Sequence, residues 1–176
     1  MSNVLIVVEH DRGTMAPATL DSLSEGRKLA TQLGGALHAV TLGEPADDLA
    51  SELSATGADL IHQVHHELLS DYGPEAWGES LAQLIKSVGP SVVMVTGTDR
   101  GNEVLAQASA RMNLPMVANC IELSPADGVW EIKRLRWGGS LWERVSLDAE
   151  VKMISLAPHQ VEVETRAGAG EVHQFV

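Results

Sequence analysis

The chain has 176 residues, of which 44% are hydrophobic and 20% are charged, and its formal net charge is -12. These values are typical of one globular domain and argue against a disordered chain. The negative charge argues against a nucleic-acid or anionic-membrane surface, because both kinds of binding depend on clustered lysine and arginine. The one cysteine, Cys120, excludes an intrachain disulfide and a cysteine-based zinc site.

The N-terminal two thirds of the sequence alternate between strand and helix patterns. The run from Val4 to Val8 is continuously apolar, as in a strand buried on both faces of a parallel sheet. A polar loop follows at 9–13, and a helix is predicted from Pro17 to Gly34. Further predicted elements are a strand at 36–42, a short helix from Pro45, strands at 60–64 and 92–95, helices at 77–88 and 104–112, and a strand from Met116.

This alternation predicts an α/β fold of the Rossmann-like, three-layer type, with a parallel sheet flanked by helices. The pattern changes after Ile121. Residues 130–137 and 141–147 are strand-like runs joined by a glycine-rich turn, so they predict a C-terminal β-hairpin extension, and 151–156 predict a last strand. We assign residues 1–157 to this domain and residues 158–176 to a polar linker or tail. The start of the chain does not resemble a signal peptide, and a soluble, cytoplasmic protein is expected.

A glycine-rich loop at 97–102 is the candidate ligand contact of this fold. It follows a predicted strand and opens a helix, where backbone amides can receive an anion. Gly97, Arg100 and Gly101 are therefore the candidate nucleotide or anion contacts, although the loop matches neither the dinucleotide fingerprint nor a P-loop. Glu9, His10 and Asp11 end the first strand at the other side of the same crevice, and we expect them to meet water rather than to form an acid–base pair.

The remaining histidines and the cysteine do not make a convincing site. His62, His65 and His66 lie close together in sequence, but on a strand the last two point to opposite faces. Cys120 lies in an apolar run, which is typical of an inert core thiol. The sequence predicts no catalytic residues and no metal site.

Several short segments are similar, in order and spacing, to the electron transfer flavoprotein alpha subunit family. The chain begins with an apolar strand that ends in Glu9-His10, as that family does. The further segments that resemble the family are 16–20, Thr56-Gly57-Ala58-Asp59 with His66 beyond it, Leu114-Pro115, the hairpin segment 134–141 and the strand at 151–156. Two segments depart from the family pattern: Trp137-Gly138-Gly139-Ser140 stands for Tyr-Ala-Gly-Asn, and Asn102-Glu103-Val104 stands for Gly-Arg-Asp.

The resemblance implies an N-terminal scaffold domain without the C-terminal domain that holds FAD. It implies a heterodimer with a beta subunit, which carries AMP, and transfer of electrons from dehydrogenases to a membrane quinone reductase. The domain itself would be an electron-carrier part rather than an enzyme. Exposed tryptophans often anchor interfaces, so the candidate partner contacts are Trp137, Gly138, Gly139, Ser140 and Trp142, although the tryptophans suit a core equally well.

Two other functions compete with this interpretation. The first is a free-standing adenine-nucleotide-binding module of the universal stress type, which would use the crevice between residues 8–10 and 97–102. The second is a hydrolase that uses the histidines or Cys120, and it has the least support in the sequence.

Overall fold

The computed structural model describes residues 2–176, and its elements alternate as the sequence predicts. In chain order they are β1 (Val4–Val7), β2 (His10–Asp11), β3 (Thr14–Met15), α1 (Thr19–Leu33), β4 (Leu37–Leu42), a 3-10 helix (Glu44–Leu49), α2 (Ala50–Thr56), β5 (Leu60–Val64), a 3-10 turn (Glu67–Leu69), α3 (Pro74–Val88), β6 (Val92–Thr96), α4 (Asp99–Met112), β7 (Met116–Ser124), β8 (Trp130–Arg136), a 3-10 turn (Trp137–Gly139), β9 (Leu141–Leu147), β10 (Lys152–Leu156) and β11 (Glu171–Phe175). None of the helices within residues 2–176 is both long enough and apolar enough to cross a membrane.

One large sheet organises the molecule, and its strand order is β11-β5-β4-β1-β6-β10-β7-β8-β9. The strands from β11 to β7 pair in parallel, whereas β7–β8 and β8–β9 pair in antiparallel fashion. This order confirms the predicted α/β, Rossmann-like sheet with a β-hairpin extension. Because β1 and β6 lie side by side, their carboxyl ends meet at one edge, which is where open α/β sheets bind ligands.

Two apolar cores, one on each face of the sheet, produce the three layers. Successive residues of β1 point to opposite faces, so Ile6 packs with Leu23 of α1 while Leu5 packs on the other side with Leu81 of α3 and Leu105 of α4. All of these side chains are buried. The continuous apolar run in β1 therefore serves both layers, as its sequence predicts.

The C-terminal segment contains a strand that the sequence does not predict. Residues 158–176, assigned above to a polar linker or tail, end in β11, which pairs in parallel with β5. The side chains of β11 are mostly exposed, so the segment lacks the apolar pattern of a central strand, which is buried on both faces. The boundary at residue 157 stays a prediction.

The segment between β10 and β11 crosses the molecule as a strap, defined here as residues 158–170. Hydrogen bonds to its N–H groups fix the strap: the His159 N–H donates to the Asp21 side chain at Oδ2 over 2.9 Å, and the Gly168 N–H donates to the Ser54 carbonyl at 2.8 Å. A Cβ atom on Gly168 would lie 2.1 Å from the Ala58 carbonyl oxygen, so only glycine permits this approach. The strap therefore lies against α1 and α2 and delivers β11 to the edge of the sheet.

Candidate functional site

The predicted crevice lies where β1 and β6 end and α4 begins. Thr98 is the N-cap of α4, and its Oγ1 accepts the Gly101 N–H at 2.9 Å. The same hydroxyl donates to the carboxylate of Glu9, which follows β1. A carboxylate of the chain itself therefore lies at the N-terminus of α4, where the sequence predicts an external anion.

The glycines of this loop are explained by packing. A Cβ atom on Gly101 would lie 2.2 Å from the Thr96 carbonyl oxygen, and one on Gly97 would lie 2.7 Å from the Leu156 carbonyl oxygen. The Gly97 N–H donates to that same Leu156 oxygen at 2.7 Å. Both positions thus require glycine for close backbone contact, with or without a ligand.

Arg100 is held by neighbours within the chain. Its guanidinium carbon lies 4.5 Å from the centre of the Tyr72 ring, and its Nη1 lies 3.7 Å from Asp11 Oδ1. The Tyr72 hydroxyl in turn donates to Glu103 at 2.7 Å, and burial together with this carboxylate raises the pKa of Tyr72. The cation is thereby drawn into a cluster at the rim of the crevice.

The cavity that remains in the crevice is about 10 Å³, and Glu9, Trp77, Thr96 and Arg100 are among its lining residues. That space accommodates about one water molecule, whereas sites for drug-sized ligands measure roughly 300–1,000 Å³. The crevice of the structure therefore does not fit FAD or an adenine nucleotide. The contacts assigned to Gly97, Arg100 and Gly101 stay predictions, and the geometry counts against a nucleotide there.

His10 is buried in this region, so it does not meet water as the sequence suggests. The Gly13 N–H donates to its Nδ1 at 3.3 Å, and its Nε2 lies 2.9 Å from the Leu42 carbonyl oxygen, to which it donates as the neutral tautomer. Burial lowers the pKa of His10 and favours this neutral form. Because Glu9 bonds to Thr98 instead, the structure forms no Glu9–His10 acid–base pair.

His62, His65 and His66, which lie close together in sequence, contact different partners. His62 Nε2 lies 3.1 Å from His38 Nδ1, and His65 Nε2 lies 2.9 Å from Asp47 Oδ1. His66 accepts the Leu68 N–H at its Nδ1. Within residues 2–176, no group of three or more histidine, cysteine, aspartate or glutamate side chains is placed to hold a metal ion.

Cys120 is a buried thiol whose Sγ donates to the Val117 carbonyl at 3.4 Å. Burial raises the pKa of Cys120 to about 12, so the thiol stays protonated near neutral pH. A protonated, buried thiol is a poor nucleophile. The geometry therefore gives no support to a cysteine hydrolase.

The hairpin of β8 and β9 carries the exposed apolar side chains that the sequence marks as partner contacts. Trp137 is 78% exposed and Trp142 is 58% exposed, with Leu141 between them, whereas the other two tryptophans are buried. Trp137 and Trp142 are thus not core residues. Gly138 and Gly139 have φ angles of 60° and 88°, which explains why glycines form this turn, and Ser140 closes it with a hydrogen bond to the Trp137 carbonyl.

Basic side chains surround this apolar surface. The Lys133 Nζ lies 4.5 Å from the centre of the Trp142 ring. Arg134 and Arg136 both contact the Glu143 carboxylate, at Nε–Oε1 and Nη1–Oε1 distances of 2.6 and 3.1 Å. We call the end of this hairpin the hairpin patch and define it by its exposed apolar side chains, Trp137, Leu141 and Trp142. Adjacent residues of β9 point to opposite faces, so Leu141 and Trp142 lie on different faces of the hairpin.

Comparison with known proteins gives consistent matches. The family described as "Electron transfer flavoprotein domain" matches residues 4–176. Protein FixB of Azotobacter vinelandii is 31% identical over 69% of this chain and 34% of its own length. The electron transfer flavoprotein subunit alpha of Thermoanaerobacterium thermosaccharolyticum is 27% identical over 89% of this chain and 48% of its own length. The acryloyl-CoA reductase electron transfer subunit beta of Anaerotignum propionicum is 27% identical over 69% of this chain and 33% of its own length. The chain thus spans between a third and a half of these relatives.

Proposed function

Because the chain belongs to the electron transfer flavoprotein domain family and is an alpha-type domain, we propose that it is the scaffold part of a heterodimeric electron carrier. It pairs with a beta subunit, and the complete complex moves electrons from dehydrogenases to a quinone reductase. The domain acts in the cytoplasm and catalyses no reaction of its own. The observation that carries this proposal is the family match over residues 4–176.

The flavin of this carrier is proposed to lie outside the residues described above. The relatives are two to three times as long as the part that this chain matches, so they contain further sequence that can hold FAD. The crevice at α4 supports this assignment, because Glu9 and Thr98 fill the position of an anion and leave about 10 Å³. AMP is assigned to the beta subunit, because the crevice of this domain is too small for an adenine nucleotide. No step of the proposed function passes through the crevice.

The hairpin patch is the proposed contact with the beta subunit. Large exposed aromatic side chains are unusual on a monomer surface and are enriched at the centres of interfaces. The outer edge of β9 has no strand neighbour within residues 2–176, so backbone donors and acceptors lie beside the tryptophans. Because Lys133 and Arg134 are already paired with Glu122 and Glu143, the proposed partner surface is mainly apolar.

The proposal is tested on the protein purified from its native host. We expect the visible absorption bands of a flavin, and mass spectrometry should identify an alpha-type chain together with a beta-type chain. A colourless preparation without a second chain would contradict the electron-carrier proposal.

Replacing both Trp137 and Trp142 by alanine is expected to weaken binding of the beta subunit at least 30-fold, because even one buried aromatic anchor contributes about 2 kcal/mol or more. The dissociation constant is measured by calorimetry on the complete alpha chain, and the melting temperature of the free chain should not change. Leu68→Ala, at a side chain that is 68% exposed outside the patch, is the matched control and should change the constant less than threefold. Equal effects of the two variants would place the interface elsewhere.

A further inference from the structure

Three histidines form a row across the outer strands of the sheet. His62 of β5 and His173 of β11 are register neighbours, and their ring centres lie 6.3 Å apart. His38 of β4 lies on the other side of His62, with its Nδ1 3.1 Å from His62 Nε2. We call His38, His62 and His173 the histidine row. The strand that carries each member is part of the continuous parallel order β11-β5-β4.

The surroundings of His38 and His62, the two inner members of the row, favour neutral rings. Both His38 and His62 are buried, and the short contact between their ring nitrogens joins one N–H donor to one lone pair. A proton on either ring would place a charge in a poorly hydrated site next to another histidine. Burial, followed by the neighbouring His38 and His173, lowers the pKa of His62 from 6.5 to about 4, and burial likewise lowers the pKa of His38.

The carboxylates near the row do not compensate for a charge on His62. Asp59 acts on His38, but its carboxylate is already bonded to both terminal nitrogens of Arg27. Glu171 lies on β11 and faces His173, with 2.7 Å between Oε1 and Nε2. Burial is the largest effect on the pKa of His62, the neighbouring histidines of β4 and β11 act in the same direction, and no carboxylate within residues 2–176 offsets them.

The outer strand of the row is the least strongly attached. Residues 171–174 of β11 are exposed, and only Phe175 is partly buried. Backbone hydrogen bonds at both ends fix the strand: the Glu171 N–H donates to the Asp59 carbonyl, and the His65 N–H donates to the Phe175 carbonyl, each at 2.9 Å. An edge strand with so little buried apolar surface opens at a smaller free-energy cost than the central strands.

We propose that the histidine row is a pH-sensitive latch, which holds β11 on β5 at neutral pH and releases it on mild acidification. Departure of β11 takes His173 away from His62 and admits water to the His62 ring, so the open form accepts the proton that the docked form disfavours. Docking is therefore complete above pH 6.5 and weakens as the pH falls from 6.5 towards 4. This proposal is independent of the proposed electron-carrier function.

Hydrogen exchange followed by mass spectrometry tests the latch. The protection factors of the β11 amides, corrected for the intrinsic exchange rate at each pH, are compared at pH 7.5 and pH 5.0. We expect at least a tenfold loss of protection in β11, with less than a twofold change in β1 and β6. The His62→Gln variant keeps a hydrogen-bonding side chain without a titrating ring, and its β11 protection should change less than threefold.

Further variants complete the design. His66→Gln alters a histidine outside the row and should keep the tenfold loss. If His62→Gln does not fold, His62→Asn, which also removes the titrating ring, replaces it. His173→Gln, at a side chain that is 53% exposed, should reduce the loss without abolishing it, because burial is the larger effect on His62. A wild-type change below twofold would overturn the latch, as would an undiminished loss of protection in the His62 variant.

Discussion

A Gly101→Ala variant is expected to unfold with a free energy about 3 kcal/mol below that of the wild type. The new Cβ atom would lie 2.2 Å from the Thr96 carbonyl oxygen, and a backbone atom cannot turn aside as a side chain can. The first turn of α4 would have to move away from β6, which overpacks the site and strains the Thr98 cap. This loss exceeds the ~1 kcal/mol by which alanine is favoured over glycine inside a helix.

The measurement is urea unfolding followed by circular dichroism, supported by a decrease of roughly 6–12 °C in the melting temperature. Gly73→Ala is the matched control, since a Cβ atom at Gly73 would meet no atom within 4 Å. A Gly101→Ala protein as stable as this control would show that packing does not require the glycine. The predicted anion contact would then be the better explanation of its presence.

An Asp59→Asn variant is expected to lose about 3 kcal/mol of unfolding free energy. Asp59 forms two hydrogen bonds with Arg27, at 2.8 and 3.0 Å, and accepts the Leu37 N–H at 3.0 Å. The amide cannot accept all of these bonds, so the partly buried guanidinium loses its counter-charge. Because the Asp59 side chain is still 29% exposed, the expected loss lies at the low end for a buried ion pair.

The pH dependence of this pair has a definite sign. Burial by itself raises the pKa of Asp59, but hydrogen bonds from Arg27 and Leu37 outweigh burial and hold the pKa below its ordinary value of 3.8. The stabilisation is therefore complete above pH 3.8 and is lost as the pH falls through the lower, folded-state value. Urea unfolding of wild type and variant at pH 7 and pH 3 should show their difference shrinking at the lower pH.

Asp71→Asn is the matched control for Asp59→Asn. Asp71 also pairs with an arginine, Arg12, at an Nε–Oδ1 distance of 2.8 Å, but both side chains are largely exposed. Surface pairs of this kind contribute little, so the unfolding midpoint should stay within experimental error of the wild type. Equal losses in the two variants would mean that burial does not distinguish the two ion pairs.

The sequence predicts the elements whose patterns arise from a single segment. α3 has an apolar face at helical spacing, proline in its first turn and Gly89 after its last residue, and the structure places it at Pro74–Val88. β1 is similarly marked by its apolar run. Local periodicity determines such elements, because each side chain must reach a core on a known face.

Contacts between distant segments are not predicted in this way. Glu9 and Thr98 lie 89 residues apart, so the loop at 97–102 shows its glycines in the sequence but not the carboxylate that occupies its helix end. The row of His38, His62 and His173 depends on the order of the strands in the sheet. It also depends on β11, which has no apolar pattern from which the sequence could predict a strand. The sequence likewise allows Trp142 to lie in the core or on the surface, and only the register of β8 and β9 determines where its side chain points.

The pairing of β11 with β5 has a consequence for synthesis on the ribosome. β5 leaves the exit tunnel about a hundred residues before β11, which corresponds to roughly 5–20 s of translation. During that interval the outer edge of β5 presents unpaired backbone groups on a chain that is otherwise able to fold. The nascent protein therefore exposes an unpaired strand edge for longer than a fold of local pairings would, until β11 has been made and pairs with β5.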